Sequence, residues 1–129
     1  MCGLSVFQFQ KVVIKMSDDL FLKIISRDIP ADIVYENEDV LAFRDLNPQA
    51  PLHVLIIPKT HIRTINDIQN QDAELFGKLF LAARDIAHEH GVAEDGYRVV
   101  MNCNAKAGQT VFHVHLHMLG GRQFSWPPG

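Results

Sequence analysis

The segment FHVHLHML, residues 112–119, constrains the fold more than any other part of the chain. Its side chains alternate in polarity, and successive side chains of a strand point to opposite faces of a sheet. We therefore predict a strand over residues 111–119. Its three imidazoles, those of His113, His115 and His117, share one face. The other face is apolar and must be buried, so the sheet needs a covering layer.

The rest of the chain supplies further strands and that covering layer. Residues 71–90 place apolar side chains at helical spacing and predict a long helix with a broad apolar face, and residues 18–27 predict a short one. Four apolar runs bounded by turn residues read as strands: 33–37, 40–46, 53–58 and 97–102. Short turns link the early strands. We predict an α+β fold, an antiparallel meander of about five strands with one long and one short helix.

Length and composition indicate a single domain without an anchor. The chain has 129 residues, enough for one domain. Residues 1–15 lack the basic start of a signal peptide, and Met16 offers a second plausible start. We therefore expect a disordered extension over 1–15 and the domain over 16–129. No apolar run approaches the roughly 20 residues that span a bilayer, so no membrane is expected.

Charge and cysteine usage narrow the classes of partner and compartment. The net charge of −3 gives no support to a nucleic-acid binder, which usually carries a basic face. Cys2 and Cys103 have the spacing of neither a metal knuckle nor a disulfide framework. A reduced, cytoplasmic environment is the simplest expectation.

The histidine row is compatible with metal binding. Neighbouring imidazoles on one face of a strand lie roughly 6–7 Å apart, and His-X-His on a strand is a common ligand pair. A cupin-type metal enzyme would need a carboxylate shortly after the second histidine, and residues 116–123 contain none. Asp45 or His53 could still complete a zinc site.

Nucleophilic catalysis on phosphorus is the second chemistry that the row allows. A neutral imidazole attacks while a neighbour holds its other nitrogen, and added donors stabilise the phosphoryl oxygens. Gly108, Gln109 and Thr110, just upstream, provide a flexible backbone, an amide and a hydroxyl for that purpose. Because the nucleophile must be neutral, we expect activity to fall below about pH 6.

The sequence HVHLHML, residues 113–119, resembles the signature of the histidine triad (HIT) family. The likeness extends over nearly all of residues 18–129 and includes the stretches 29–62 and 119–129. It is closest to the Hint branch, the purine nucleoside phosphoramidases. The resemblance implies a HIT-like domain that forms a homodimer by joining two sheets, without a cofactor or metal.

The resemblance also implies a role for each matched residue. His115 corresponds to the nucleophile that takes up AMP, and the other catalytic positions are His53, His113, His117 and Thr110. Residues matching the phosphate and leaving-group contacts are Asn102, Gly108, Gln109 and Thr110. Residues matching the nucleoside contacts are Asp45 at the ribose hydroxyls and Ile29, Phe43 and Leu46 around the purine. Trp126 matches a tail residue that approaches the partner's site.

Together these features predict an enzyme that hydrolyses adenosine 5'-phosphoramidates to AMP, and acyl or aminoacyl adenylates as further substrates, through a covalent AMP-histidine. Two alternatives stay open. One is a nucleotide-binding scaffold with incidental hydrolysis, and the other is a dinucleoside polyphosphate hydrolase, although the tail favours Hint. The chain departs from frequent Hint residues at Thr110 (often Ser), Ala107 (often Gly) and Cys103 (often Glu), which affects fine specificity.

Overall fold

The computed structural model describes residues 19–129, so the predicted extension over 1–15 lies outside the described residues. The first helix, α1, is seen over residues 19–25. The long helix, α2, runs over Ala73–Glu89, directly after a 3-10 turn at Asn70–Asp72. Its buried residues are Leu79, Ala82, Ala83, Ile86 and Ala87, as the predicted apolar face requires. Among the described residues, no helix has the length and hydropathy needed to cross a membrane.

Five strands form one antiparallel sheet. They are β1 (Ile33–Glu36), β2 (Val40–Arg44), β3 (Leu52–Pro58), β4 (Tyr97–Val100) and β5 (Leu116–Gly120). Their spatial order is β1-β2-β3-β5-β4. The α+β class and the strand number confirm the prediction, but the meander is interrupted. After α2 the chain returns to the far edge as β4, and β5 then fills the place between β3 and β4.

The two faces of the sheet carry two separate apolar cores. On one face, α2 packs against side chains such as Val54, Ile56 and Met118. On the other face, Phe21 and Ile24 of α1 pack against Leu41, Phe43, Leu55 and Ile57 of the sheet. All seven residues of β3 are buried, because both helices cover it. Successive residues of the central strands thus alternate between the α2 face and the α1 face.

The prediction for the last strand is wrong in its bounds. We expected a strand over 111–119, but β5 begins at Leu116, and the β3–β5 ladder ends with the pair Ile56–Leu116. Residues 111–115, which we call the histidine arm, therefore precede the ladder. The arm is bonded instead to the segment that follows β3, where the Val114 N–H donates to the Ile62 carbonyl at 2.8 Å. Alternation of polar and apolar side chains therefore does not by itself show that a segment is hydrogen-bonded to a neighbouring strand.

Candidate active site

His117 lies in the β5 ladder, beside side chains from β2 and β3. Its Nδ1 is 3.0 Å from His53 Nε2, and the two ring centroids are 5.2 Å apart. Asp45, which follows β2, places Oδ2 at 3.5 Å from the same His53 nitrogen. The Asp45 N–H donates to the His53 carbonyl at 3.0 Å, so the carboxylate is anchored to β3. The sheet thus brings together three predicted site residues: His53 of β3, His117 of β5, and Asp45 directly after β2.

The hydrogen-bond network assigns the protons of this group. The Gln49 N–H donates to His53 Nδ1 at 3.0 Å, so the neutral His53 ring carries its proton on Nε2. That N–H donates to His117 Nδ1, which leaves the His117 proton on Nε2. His117 therefore offers an N–H donor on the nitrogen that faces away from His53.

His115 and His113 belong to the histidine arm and are held by backbone carbonyls. His115 Nδ1 donates to the His113 carbonyl at 2.7 Å, so His115 Nε2 keeps its lone pair. The ring centroids of His115 and His117 are 5.0 Å apart, so the ring with the lone pair and the ring with the donor are neighbours. His113 Nε2 donates to the Pro58 carbonyl at 2.7 Å, and its buried Nδ1 has no hydrogen-bond partner within residues 19–129.

Phe21 of α1 supports the histidine arm, and sequence reasoning missed it. Its ring meets His115 edge-to-face at 5.1 Å between centroids and also contacts His113 at 5.8 Å and Phe43 at 5.5 Å. In the sequence Phe21 is one apolar residue of an amphipathic helix, with no signal that separates it from its neighbours. His61 stacks on His113 at 5.0 Å from the exposed side.

Burial keeps the four histidines neutral at neutral pH. Desolvation is the main cause that lowers the pKa of His53 and of His115. Burial lowers the pKa of His113 to about 4, against an opposing hydrogen bond from its ring to Pro58. Burial and the neighbouring histidines lower the pKa of His117 to about 4. A lowered pKa keeps the His115 lone pair available further into the acid range than an exposed imidazole allows.

The loop between β4 and β5, residues 101–110, leads into the histidine arm and contains four predicted site residues. Gly108 ends a 3-10 turn at Ala105–Ala107 with φ 91°, a left-handed conformation that glycine adopts without strain. Asn102 is half-buried, and Thr110 is exposed at the start of the arm. Gln109 is buried, and its amide bonds to the protein itself, to Asn104, Arg63 and Val111.

The residues predicted to bind the nucleoside fall into two groups. Phe43 and Ile29 belong to the apolar core beneath α1, and Phe43 is in ring contact with Phe21. Leu46 extends into solvent with 98% of its surface exposed, next to Asp45. Asp45 Oδ1 also accepts the Asn47 N–H at 2.8 Å, which fixes the turn that presents Leu46.

The C-terminal tail is anchored near β4 by two arginines. Arg98 and Arg122 both lie over the Phe124 ring, at 5.2 and 4.2 Å from its centroid. Arg98 also donates to the Ser125 carbonyl at 3.0 Å. Trp126 follows directly and is 81% exposed. The predicted approach of Trp126 to a partner's site remains a prediction.

The cluster of Asp45, His53 and His117 could hold a metal. The ligand atoms of Asp45, His53 and His117 all lie within 4.8 Å of one another, the one such group among residues 19–129. A carboxylate and two imidazoles suit Zn²⁺, which takes such ligands at about 2.0–2.2 Å. His113 and His115 are not part of this group. The residues therefore fit a metal on the His53–His117 side, where it would replace the hydrogen bond between the two rings.

Three known proteins show what this chain resembles. A purine nucleoside phosphoramidase of Escherichia coli is 50% identical over 105 residues, 81% of this chain and 88% of that protein. A "14 kDa zinc-binding protein" of Zea mays is 49% identical over 115 residues, 88% of this chain and 89% of that one. The crystal structure of a HIT family hydrolase from Legionella pneumophila matches with a TM-score of 0.84 and 54% identity, covering 85% of this chain and 98% of that chain.

A family model of the HIT domain matches residues 26–124, which include every histidine of the site. The structural match extends to the five-stranded sheet and both helices. The family that the HVHLHML segment indicated is therefore confirmed. This chain belongs to the HIT family and is a hydrolase of that family.

Proposed function

We infer that the protein is a purine nucleoside phosphoramidase that hydrolyses adenosine 5'-phosphoramidates to AMP through a covalent bond to His115. One observation carries this proposal. The buried His115 has Nδ1 bound to a backbone carbonyl and a free lone pair on Nε2, and the His117 Nε2–H donor lies on the neighbouring ring. A neutral nucleophile beside a donor is the pair that attack on a phosphorus centre needs.

In the first step His115 Nε2 attacks phosphorus, a P–Nε2 bond forms, and the P–N bond to the leaving group breaks. The leaving nitrogen takes a proton from solvent and departs as an amine. His117 donates its Nε2–H to a phosphoryl oxygen, while His53 holds His117 in the required tautomer. In the second step water attacks phosphorus and returns one proton to solvent, the P–Nε2 bond breaks, and AMP and neutral His115 are released. Ordinary amines are readily protonated, which favours phosphoramidates over anhydrides as substrates.

In this proposal the nucleotide lies beside Asp45, His53 and His117. Asp45 accepts the ribose hydroxyls, and Leu46, Phe43 and Ile29 enclose the purine. The exposed Leu46 supports this arrangement, because a bound base would cover its apolar surface. Thr110, Asn102 and the backbone of Gly108 contact the phosphate and the leaving group. Acyl and aminoacyl adenylates, which share the AMP half, are further candidate substrates.

We also propose a cytoplasmic homodimer whose two sheets join. The edge strand β4 pairs only with β5 among the described strands, so its other side is open to a second copy. In such a dimer the exposed Trp126 would lie close to the partner's leaving-group site. Nucleic acids and membranes are not expected partners.

The test is AMP release from adenosine 5'-phosphoramidate, with EDTA present, by the wild type and by His115→Ala. We expect release by the wild type alone, and retained AMP binding by the variant. Mass spectrometry of acid-quenched wild type should show the addition of one adenylyl group, and the variant should not. If neither protein releases AMP but both bind it, the scaffold alternative replaces this proposal. Faster cleavage of a dinucleoside polyphosphate than of the phosphoramidate would favour the other alternative.

A further inference from the structure

The Gln109 side chain is buried and has no donor left for a substrate. Its surface is 5% exposed. Nε2 donates to the Arg63 carbonyl at 2.8 Å and to the Val111 carbonyl at 3.1 Å, and Oε1 accepts the Asn104 N–H at 2.8 Å. A primary amide has two N–H donors, and both are used here. The amide oxygen Oε1 is only an acceptor, and so is an ionised phosphate oxygen. The two therefore cannot form a hydrogen bond with each other.

We propose that Gln109 is a positioning residue that shapes the β4–β5 loop for catalysis, and does not itself contact the phosphate. This inference rests on the function proposed above. It replaces the phosphate contact that the family resemblance implied for this side chain. Gln109 would act through the backbone of the loop and through the histidine arm, where the reacting groups lie.

Within the loop, Gln109 holds a strained residue. Asn104 has φ 69° and ψ −177°, a backbone conformation that is essentially restricted to glycine. Two hydrogen bonds join Asn104 to Gln109. The Asn104 N–H donates to Oε1, and the Asn104 carbonyl accepts the Gln109 N–H at 3.1 Å. The residues that flank the 3-10 turn Ala105–Ala107 are therefore joined by two hydrogen bonds. One uses the Gln109 side chain, and the other uses the Gln109 backbone N–H.

Outside the loop, Gln109 bonds to the segment that carries the histidine arm. Its bond to the Arg63 carbonyl adjoins the Val114 N–H bond to the Ile62 carbonyl, and His61 Nε2 bonds to the Phe112 carbonyl at 2.9 Å. The ladder does not reach these residues, because it ends at Leu116. Residues 61–63 thus bond both to the histidine arm, which contains His115, and to Gln109. Through Gln109 the same segment holds Thr110 and the backbone around Gly108.

The experiment is a double-mutant cycle of Gln109→Ala and Asn104→Gly, assayed as kcat and KM for adenosine 5'-phosphoramidate. We expect Gln109→Ala to lower kcat/KM at least tenfold. Adding Asn104→Gly should recover at least threefold, because glycine adopts the required conformation without strain. A direct phosphate contact by Gln109 predicts no recovery, since glycine at position 104 cannot replace a donor. Activity of Gln109→Ala within twofold of the wild type, or no recovery in the double variant, would overturn the proposal.

Three further variants keep the test informative. Gln109→Glu can still accept the Asn104 N–H but cannot donate to the Arg63 and Val111 carbonyls, so we expect a loss as large as that of Gln109→Ala, and no recovery with Asn104→Gly. If thermal unfolding shows that Gln109→Ala does not fold, Gln109→Leu, which fills the space but makes none of these bonds, takes its place in the cycle with the same criteria. Gln69→Ala, which removes an exposed amide that donates to the Asp67 carbonyl, is the matched control and should stay within twofold.

AMP affinity, measured by calorimetry on the same variants, separates this proposal from the proposed function. If the wild type binds AMP but does not cleave the phosphoramidate, the proposed function fails, and the cycle is read from the Kd for AMP. Recovery of AMP affinity by Asn104→Gly would then still support the positioning role. Loss of affinity without recovery would overturn it.

Discussion

His115 and His117 are two residues apart in the chain, yet different contacts hold them in place. His117 lies in β5, between β3 and β4, and its ring is hydrogen-bonded to another side chain, His53. His115 lies in the histidine arm, outside the ladder, and its ring is bonded to a backbone carbonyl and packed on Phe21. The proposed donor is thus built into the sheet, and the proposed nucleophile is held by a helix and by loops.

This difference has a chemical consequence. A ring that is bonded to a carbonyl has one fixed donor and one free lone pair, which suits a nucleophile. A ring in a chain of imidazoles can share and move protons, which suits a donor and also allows a metal to enter. Each of the following changes affects one side of the site more than the other.

Truncation of Phe21 should have the largest effect, and it acts on the histidine arm. Phe21→Ala removes a buried ring from under His115 and His113, and such changes cost about 3–5 kcal/mol in unfolding free energy. We expect kcat to fall as well, because the His115 ring loses its packing. Denaturant unfolding and steady-state kinetics measure both. Ile65→Ala, at a position 38% exposed, should cost much less. Equal losses in the two variants would contradict a special role for Phe21.

Removal of His53 should affect only the side of the site that lies in the sheet, where His53 is bonded to His117. His53→Ala leaves His117 without its tautomer-fixing donor, and we expect kcat to fall about 10²-fold, as for loss of a positioned acid–base group. His53→Gln, whose amide can donate to His117 Nδ1, should recover part of this loss. AMP–His115 should still form slowly in both variants, detectable by mass spectrometry. Unchanged kcat in His53→Ala would show that the imidazole chain is not used.

Acid should destabilise the fold, because the buried histidines must take up protons. A variant of His113 measures how much the histidine arm contributes to this pH dependence of the unfolding free energy. The folded pKa of His113, about 4, is below the usual 6.5, so the unfolded chain binds the proton first. Stability is therefore lost as pH falls from 6.5 towards 4, by roughly 2 kcal/mol from His113 between pH 7 and pH 5. His113→Gln, which keeps a donor for the Pro58 carbonyl, should show a shallower pH dependence in denaturant unfolding. Identical slopes in both proteins would contradict this assignment.

Added Zn²⁺ should have the smallest effect and should act on the ladder side. Bound to Asp45, His53 and His117, it would occupy the donor side and inhibit hydrolysis several-fold, and EDTA should restore the rate. Asp45→Asn should weaken this inhibition, whereas His113→Gln should not change the zinc concentration that gives half inhibition. Stimulation by zinc, and loss of activity in EDTA, would instead favour the metal-enzyme alternative.

Sequence reasoning succeeded where a pattern has one physical solution. The alternating segment placed three histidines on one side, and the structure puts Leu116 and Met118 in the core beneath α2 and the His113 and His115 rings against Phe21 of α1. The mostly apolar stretch 53–58 predicted a strand, and β3 is a strand in the middle of the sheet with every residue buried. Strand ends were less accurate, since the histidine arm keeps the alternation after the ladder has ended.

Contacts between distant segments were beyond the reach of the sequence. The chain order did not reveal that β5 lies between β3 and β4, because a helix separates β3 from β4 and either edge was open to the returning chain. Phe21 could not be distinguished from the other apolar residues of α1. The role of Gln109 depends on which carbonyls its amide meets, and one of them, Arg63, is 46 residues away.

The sequence by itself determined the fold class, the histidine row and the family, because side-chain periodicity and a long specific motif are properties of the chain. The tertiary structure alone decided which ring nitrogen of His115 is free and that His53 bonds to His117. It also decided that both N–H donors of the Gln109 amide are used within the protein. Proton positions depend on partners that come from other strands and loops, so they exist only after the sheet has formed. His115 has a free Nε2 because a carbonyl holds its Nδ1, and His117 has a free N–H because His53, 64 residues away, occupies its other nitrogen.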